Sequence, residues 1–205
     1  PDPQGMIDTL HAKGVRVVLW MTCILNKENT GGRLEPTSGR IFEEALRNGY
    51  LATDGRITKW WKGRGGHIDY TNPEAVRWWH QLMDRVLLRG IDGWKVDAAG
   101  IRFPPDGYGM GDPADPARNT IPMTGMEYKD LYYIDTYEHL LTRNPAGAII
   151  ARPIDLLKAA PRGYAPISHS PANWVGDECH DWSEDGFLEA ITDIFDSARR
   201  GYTVI

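Results

Sequence analysis

Apolar positions along the chain fall into two alternating kinds of run. Sets spaced at three and four residues are followed, across a glycine, by short unbroken runs rich in β-branched residues. Met6, Ile7 and Leu10 share one face of a helix that Asp2 caps, Pro3 begins and Lys13-Gly14 ends. Residues 15–21 (Val-Arg-Val-Val-Leu-Trp-Met) then read as a strand covered on both faces.

The phrase recurs. Asn72 and Pro73 start a helix carrying Val76, Trp79, Leu82 and Val86, which stops at Arg89-Gly90 before a strand at 91–97. Thr124 and Glu127 form a capping box for a helix carrying Tyr133, Ile134, Tyr137 and Leu141. That helix breaks at Asn144-Pro145, before a strand at 148–151. After a strand at 172–176, Ser183 caps a helix carrying Leu188, Ile191, Phe195 and Ala198, and Arg200-Gly201 leads into a fifth strand from 202.

Repetition of helix, glycine, strand and loop predicts an α/β fold with a parallel sheet. Doubly wound sheets and (β/α)₈ barrels both produce it. No Gly-x-Gly-x-x-Gly follows a strand, so a dinucleotide fold lacks its phosphate cradle. Segments 22–71 and 98–124, leaving the carboxyl ends of strands, are long and rich in Gly, Pro and Asn, whereas the turns from helix back to strand are very short. That asymmetry is the barrel habit, with function built at one face. The expectation is a partial (β/α)₈ TIM barrel. Residues 1–205 are read as part of a single catalytic domain truncated at both ends, with long inserted loops at 22–71 and 98–124. The chain opens on Pro1-Asp2 without an initiator Met and closes inside the apolar run Thr203-Val204-Ile205.

Composition narrows the function classes. Apolar residues at 41% and charged residues at 25% fit a globular chain. A net charge of −5, with no run of Lys and Arg, gives no reason to propose nucleic acid. No stretch of apolar residues is long enough to predict a membrane span. Cys23 and Cys179 have neither metal-like nor redox spacing and are expected reduced near the core, leaving the compartment open between cytoplasmic and secreted. Eight Trp and nine Tyr mildly favour a carbohydrate ligand, whose flat faces stack on such rings.

The candidate chemistry lies at strand ends. Asp97 closes the run Gly-Ile-Asp-Gly-Trp-Lys-Val-Asp (90–97), and a carboxylate there needs a partner or a job. Lys95, two residues earlier, points to the same side and would hold Asp97 ionised, as a nucleophile requires. Either residue could instead belong to a structural cap or ion pair. Asp177 closes Ala-Asn-Trp-Val-Gly-Asp (172–177), where Trp174 would shield the carboxyl group and suit it to general acid work. Alternatively, Asp177 simply opens the polar stretch 177–181. That stretch, Asp-Glu-Cys-His-Asp, contains metal-ligand types, but no second spaced cluster joins it, so no metal or cofactor is expected. Two carboxylates at one barrel mouth could cleave a glycosidic bond, with retention if they stand about 5–5.5 Å apart.

Together these phrases resemble glycoside hydrolase family 31, retaining α-glycosidases on a (β/α)₈ barrel. The nucleophile segment is matched by Gly90-Ile91-Asp92-Gly93 through Asp97, and the acid/base segment by Trp174-Val175-Gly176-Asp177 with Trp182. A strand-end arginine is matched by Ala151-Arg152-Pro153. The runs Gly14–Trp20 and Ile68-Asp69-Tyr70-Thr71-Asn72-Pro73-Glu74-Ala75 also look like this family. The resemblance implies Asp97 as nucleophile, Asp177 as general acid/base, and Lys95, Arg152 and Trp174 on a carbohydrate substrate. Trp20 is a weaker candidate that reads more readily as core. It also implies that the chain covers strands three to seven, with the missing strands and an N-terminal β-sandwich as its partners, and that the piece alone is inactive. Lys95 and the small residues Ala98-Ala99-Gly100 depart from the α-glucosidase pattern. An α-galactoside, α-xyloside, N-acetylated or sulfonated sugar therefore stays open. An α-transglycosylase or a non-catalytic sugar binder are the alternatives.

Overall fold

A computed structural model describes residues 2–33, 35–55, 57–97, 109–110, 121–122, 125–151, 165–174, 176 and 179–205. In chain order the elements begin with α1 (Pro3–Ala12), β1 (Val18–Met21), β2 (Ile24–Asn29), α2 (Pro36–Arg47) and α3 (Ala52–Gly55). Next come β3 (Thr58–Trp60), β4 (Gly63–His67), α4 (Pro73–Leu87), β5 (Gly93–Val96), β6 (Gly109–Met110) and β7 (Ile121–Pro122). The last are α5 (Gly125–Arg143), β8 (Ala148–Ala151), β9 (Ala172–Asn173), α6 (Glu189–Arg199) and β10 (Thr203–Val204). Contacts divide the chain into two units, one of residues 1–22, 85–100 and 133–205 and one of 23–84 and 101–132.

The first unit carries the parallel sheet, ordered β1-β5-β8-β9-β10. Spatial order follows chain order without reversal. A doubly wound sheet reverses direction at a switch point, and a barrel does not. The fold is therefore part of a (β/α)₈ barrel. Asp2 caps α1 by accepting the Gly5 N–H at 2.9 Å, as its position before Pro3 predicts. Asn144 ends α5 and turns the chain by accepting the Ala146 N–H at 3.1 Å.

Three expectations need correction here. β1 is covered on one face only: Val17 and Met21 are buried, while Val18 and Trp20 are 37% and 43% exposed. The five described strands of this sheet do not close on themselves. Ser183 does not cap α6 with its side chain; its N–H and hydroxyl both go to Asp181 Oδ1. A kinked turn at Glu184–Leu188, with Gly186 outside helical geometry, intervenes before α6. Finally, Leu188 and Phe195 are exposed, while Asp193 and Ser197 are buried. Ser197 turns inward because Asn173 of β9 donates to its hydroxyl at 2.6 Å.

The sheet of the second unit lies within 22–71, a segment that reads as loop. β2, β4 and β3 form an antiparallel sheet in that order. Its glycines are packing requirements: a Cβ at Gly63 or Gly65 would stand 1.9 or 2.2 Å from the carbonyl oxygens of Glu28 or Leu25. Beside the sheet lies a buried aromatic group. His67 meets Tyr128 edge-on at 5.5 Å, and Tyr70 lies 5.8 Å from Tyr128 and 5.9 Å from Tyr132. Tyr128 donates its hydroxyl proton to the Ile68 carbonyl at 2.8 Å. Asp69, fully buried, accepts from the Thr71 N–H and hydroxyl, and Asn72 accepts the Glu74 N–H to start α4.

Burial pushes the His67 ring down to a pKa of about 4. The unfolded chain then binds the extra proton first as pH falls, so the contribution is whole above about 6.5 and is lost between there and 4. Its size is about 3 kcal/mol. Urea unfolding across that window is expected to show a decline that His67→Gln lacks. Equal slopes in both proteins would refute it. Gly93→Ala is expected to cost at least about 2 kcal/mol, because its Cβ would lie 1.9 Å from the Ala148 carbonyl oxygen across β5 and β8. The same unfolding titration measures it.

Candidate active site

The site is assembled by the ladder at the carboxyl ends of the strands. Parallel pairing sets Met21 beside Val96, Val96 beside Ala151, and Ala151 beside Asn173. The bonding continues one residue further. The Asp97 N–H donates to the Met21 carbonyl at 3.0 Å, and the Trp174 N–H to the Ala151 carbonyl at 2.8 Å. Backbone bonds thus hold the first residues after β5 and β9 in place, before any side-chain contact is counted.

Register also decides which side chains share a face. Trp20 is level with Lys95, Lys95 with Ile150, and Ile150 with Ala172. Laterally paired residues of a parallel sheet point the same way, and the two-residue period extends that face to Asp97 and Trp174. The opposite face carries Trp94, Val96, Ile149 and Ala151, all buried. The polar and aromatic residues therefore gather on the face opposite these buried side chains.

On that face the Trp20 indole N–H donates to Asp97 Oδ2 at 2.8 Å. Asp97 is only 8% exposed, so its carboxylate needs donors, and the indole supplies one. Trp20 is accordingly no core residue; nearly half exposed, it reaches the candidate nucleophile. Sequence alone carried one cue: Trp20 and Asp97 each end a strand of adjacent repeats. Lys95 is half-buried, and its ammonium lies 4.6 Å from the centre of the Trp174 ring. This contact joins β5 to the residue after β9 by a cation–π attraction. The sequence-predicted Arg152 and Asp177 lie outside the described residues. Among the described residues no group of three or more His, Cys, Asp or Glu gathers to hold a metal. Cys23 is buried as expected, but Cys179 is exposed, because it lies in the polar loop beyond β9 rather than in the core.

Asp92, within the same motif as Asp97, acts at the other end of β5. It accepts the Val17 N–H at 2.7 Å and meets the His11 ring at 2.8 Å and Arg16 at 3.8 Å. Partial burial alone would raise its pKa, but the Val17 N–H, the His11 ring and Arg16 outweigh that and hold it below the usual carboxylate range. The charge inside the Gly-Ile-Asp-Gly phrase is therefore a clamp between β1 and β5.

Residues 1–195 match the profile of the glycosyl hydrolases family 31 TIM-barrel domain. The alpha-xylosidase XylQ of Lactiplantibacillus pentosus is 31% identical over 120 residues, 57% of this chain and 14% of that protein. The 1,3-alpha-isomaltosidase of Kribbella flavida is 26% identical over 193 residues, 90% of this chain and 23% of that one. The crystal structure of a cycloalternan-forming enzyme from Listeria monocytogenes, in complex with a pentasaccharide substrate, superposes with a TM-score of 0.68. It is 22% identical and covers 99% of this chain and 18% of its own. The chain thus spans less than a quarter of the length of these relatives.

The indole bond has a measurable consequence. Trp20→Phe is expected to lower the unfolding free energy by about 1–2 kcal/mol. In a double-mutant cycle with Asp97→Ala, about 1 kcal/mol of coupling is expected between the two positions. Simple additivity would show that the contact contributes nothing.

Proposed function

The chain belongs to glycosyl hydrolase family 31, and from that premise we propose that it supplies the catalytic centre of a retaining α-glycosidase. The observation that carries the reading is the buried Asp97 carboxylate at the end of β5, oriented by the Trp20 indole on the face that also bears Lys95 and Trp174. A carboxylate fixed at a strand end of the barrel mouth is placed to attack an anomeric carbon.

In the proposed reaction Asp177 gives its proton to the glycosidic oxygen. The bond from that oxygen to the anomeric carbon breaks, its electron pair stays on the oxygen, and Asp97 forms an ester to the sugar. Water, deprotonated by Asp177, then cleaves the ester and restores both residues. Lys95, Arg152, Trp174 and Trp20 contact the sugar. Arg152 offers a planar fork of donors for hydroxyls or an anionic substituent. The relatives' names, alpha-xylosidase and 1,3-alpha-isomaltosidase, support an α-linked substrate. The remaining barrel strands and an N-terminal β-sandwich are proposed to come from further polypeptide, so residues 1–205 alone do not turn over.

Aryl α-glycosides assayed with the complete polypeptide are expected to be hydrolysed with retention, read by NMR of the first-formed anomer. Asp97→Ala is expected to lower kcat/KM by about 10³-fold or more. A fluorinated glycosyl fluoride is expected to leave a mass adduct on the peptide containing Asp97. Inversion, or an adduct elsewhere, would overturn the assignment. Robust turnover by residues 1–205 alone would refute the need for further strands.

A further inference from the structure

Thr22 follows β1 and has no part in the reaction proposed above. The ladder fixes what stands beside it. Trp20 is level with Lys95 and Met21 with Val96, and the Asp97 N–H carries the same pairing one step further by donating to the Met21 carbonyl at 3.0 Å. Thr22 is therefore the residue level with Asp97. The two-residue period puts its side chain on the face of Trp20, and the bond from the Trp20 indole to Asp97 Oδ2 shows that this face carries the carboxylate. Both residues belong to the unit that holds the parallel sheet.

The Thr22 hydroxyl oxygen is buried and takes no hydrogen-bond partner among the described residues. An unmet buried hydroxyl destabilises a fold, so its retention points to a partner in another state of the protein. The neighbour across the ladder is an acceptor of the right kind. Paired strands stand about 4.7–4.9 Å apart. At that spacing a hydroxyl on one Cβ and a carboxylate one bond beyond the other Cβ span the gap after a single staggered step of χ1. The hydroxyl proton turns freely about its own bond to meet the acceptor.

We propose that Thr22 is a positioning residue for Asp97: its hydroxyl takes one carboxylate oxygen when the other turns toward the anomeric carbon. The chemistry of this inference rests on the glycosidase reading. At rest Asp97 Oδ2 accepts from Trp20. In the attack one carboxylate oxygen gives an electron pair to the anomeric carbon. The bond from that carbon to the leaving oxygen breaks, and the leaving oxygen keeps its pair and takes the acid's proton. The second carboxylate oxygen must be held meanwhile, or the group swings about χ2 out of line. Thr22 holds it from the β1 side, where the burial of its hydroxyl strengthens the bond. A donor that is unmet at rest and met during the reaction lowers the barrier without tightening substrate binding.

The test compares the complete polypeptide with its Thr22→Val and Thr22→Ser variants, by kcat and KM on an aryl α-glycoside and by urea unfolding. Valine keeps the branched shape and removes the hydroxyl, whereas serine keeps the hydroxyl. Thr22→Val is expected to lower kcat and kcat/KM together, about tenfold, with KM unchanged. Labelling of the Asp97 peptide by the fluorinated glycosyl fluoride is expected to slow by the same factor. The urea midpoint of Thr22→Val is expected to stay level or rise, because the hydroxyl it removes has no partner at rest. Thr22→Ser is expected to recover most of the rate. An unchanged kcat in Thr22→Val overturns the proposal. So does a rise in KM at constant kcat, since the hydroxyl then meets the sugar rather than Asp97. A lower midpoint with equal loss of rate in both variants makes the role structural and overturns it as well. A parent that neither turns over any aryl α-glycoside nor takes a label on Asp97 refutes the glycosidase reading itself, and the role of Thr22 falls with it.

Discussion

The register of β1 against β5 rests on one carboxylate. Asp92 receives the Val17 N–H through its side chain and gives its own N–H to the Val17 carbonyl. These bonds are made before either strand begins, and they settle which residue of β1 stands beside which residue of β5. With Val18 level with Gly93, Trp20 falls level with Lys95, and its indole reaches the carboxylate two positions on. A slip of one residue would turn Trp20 to the buried face and leave Asp97 without that donor. The next strand follows from the same clamp, because Asp92 also accepts the Ala148 N–H through its carbonyl.

Gly93 makes the matching contribution on the other side of β5. Its missing Cβ lets the Ala148 carbonyl approach, and Ala148 opens β8. The acidic residue and the glycine of the Gly-Ile-Asp-Gly phrase thus have separate physical tasks at the amino end of a strand whose carboxyl end leads into the candidate nucleophile Asp97.

The parallel sheet was legible in the sequence because its parts repeat. The cap at Asp2, the stops at Gly14, Gly90 and Gly201, and the β-branched runs between them are local signals that tertiary structure had no reason to override. Asp97 was legible for the same reason, as a charge closing an apolar run. Trp20 was misread because a tryptophan in such a run normally signals burial, and only the register against β5 reveals its donor role. The sheet of β2, β3 and β4 was hidden because Gly63, Gly65 and Gly66 erase the alternation that marks a strand, although close backbone contacts are what require two of them. The face of α6 was misassigned because Asn173, twenty-four residues earlier, draws in Ser197.

The pairing of Ile24 with His67 has a consequence for chain entropy. Roughly seventy residues separate the end of β1 from the start of β5, and a flexible chain of that length must be gathered before the parallel ladder can form. Once Ile24 and His67 are joined, the stretch still to be closed shrinks to roughly twenty-five residues. The logarithmic dependence on length makes that worth about 1 kcal/mol. The antiparallel pairing of β2 with β4 within the excursion therefore acts as a tether that shortens the route between two neighbouring strands far apart in sequence.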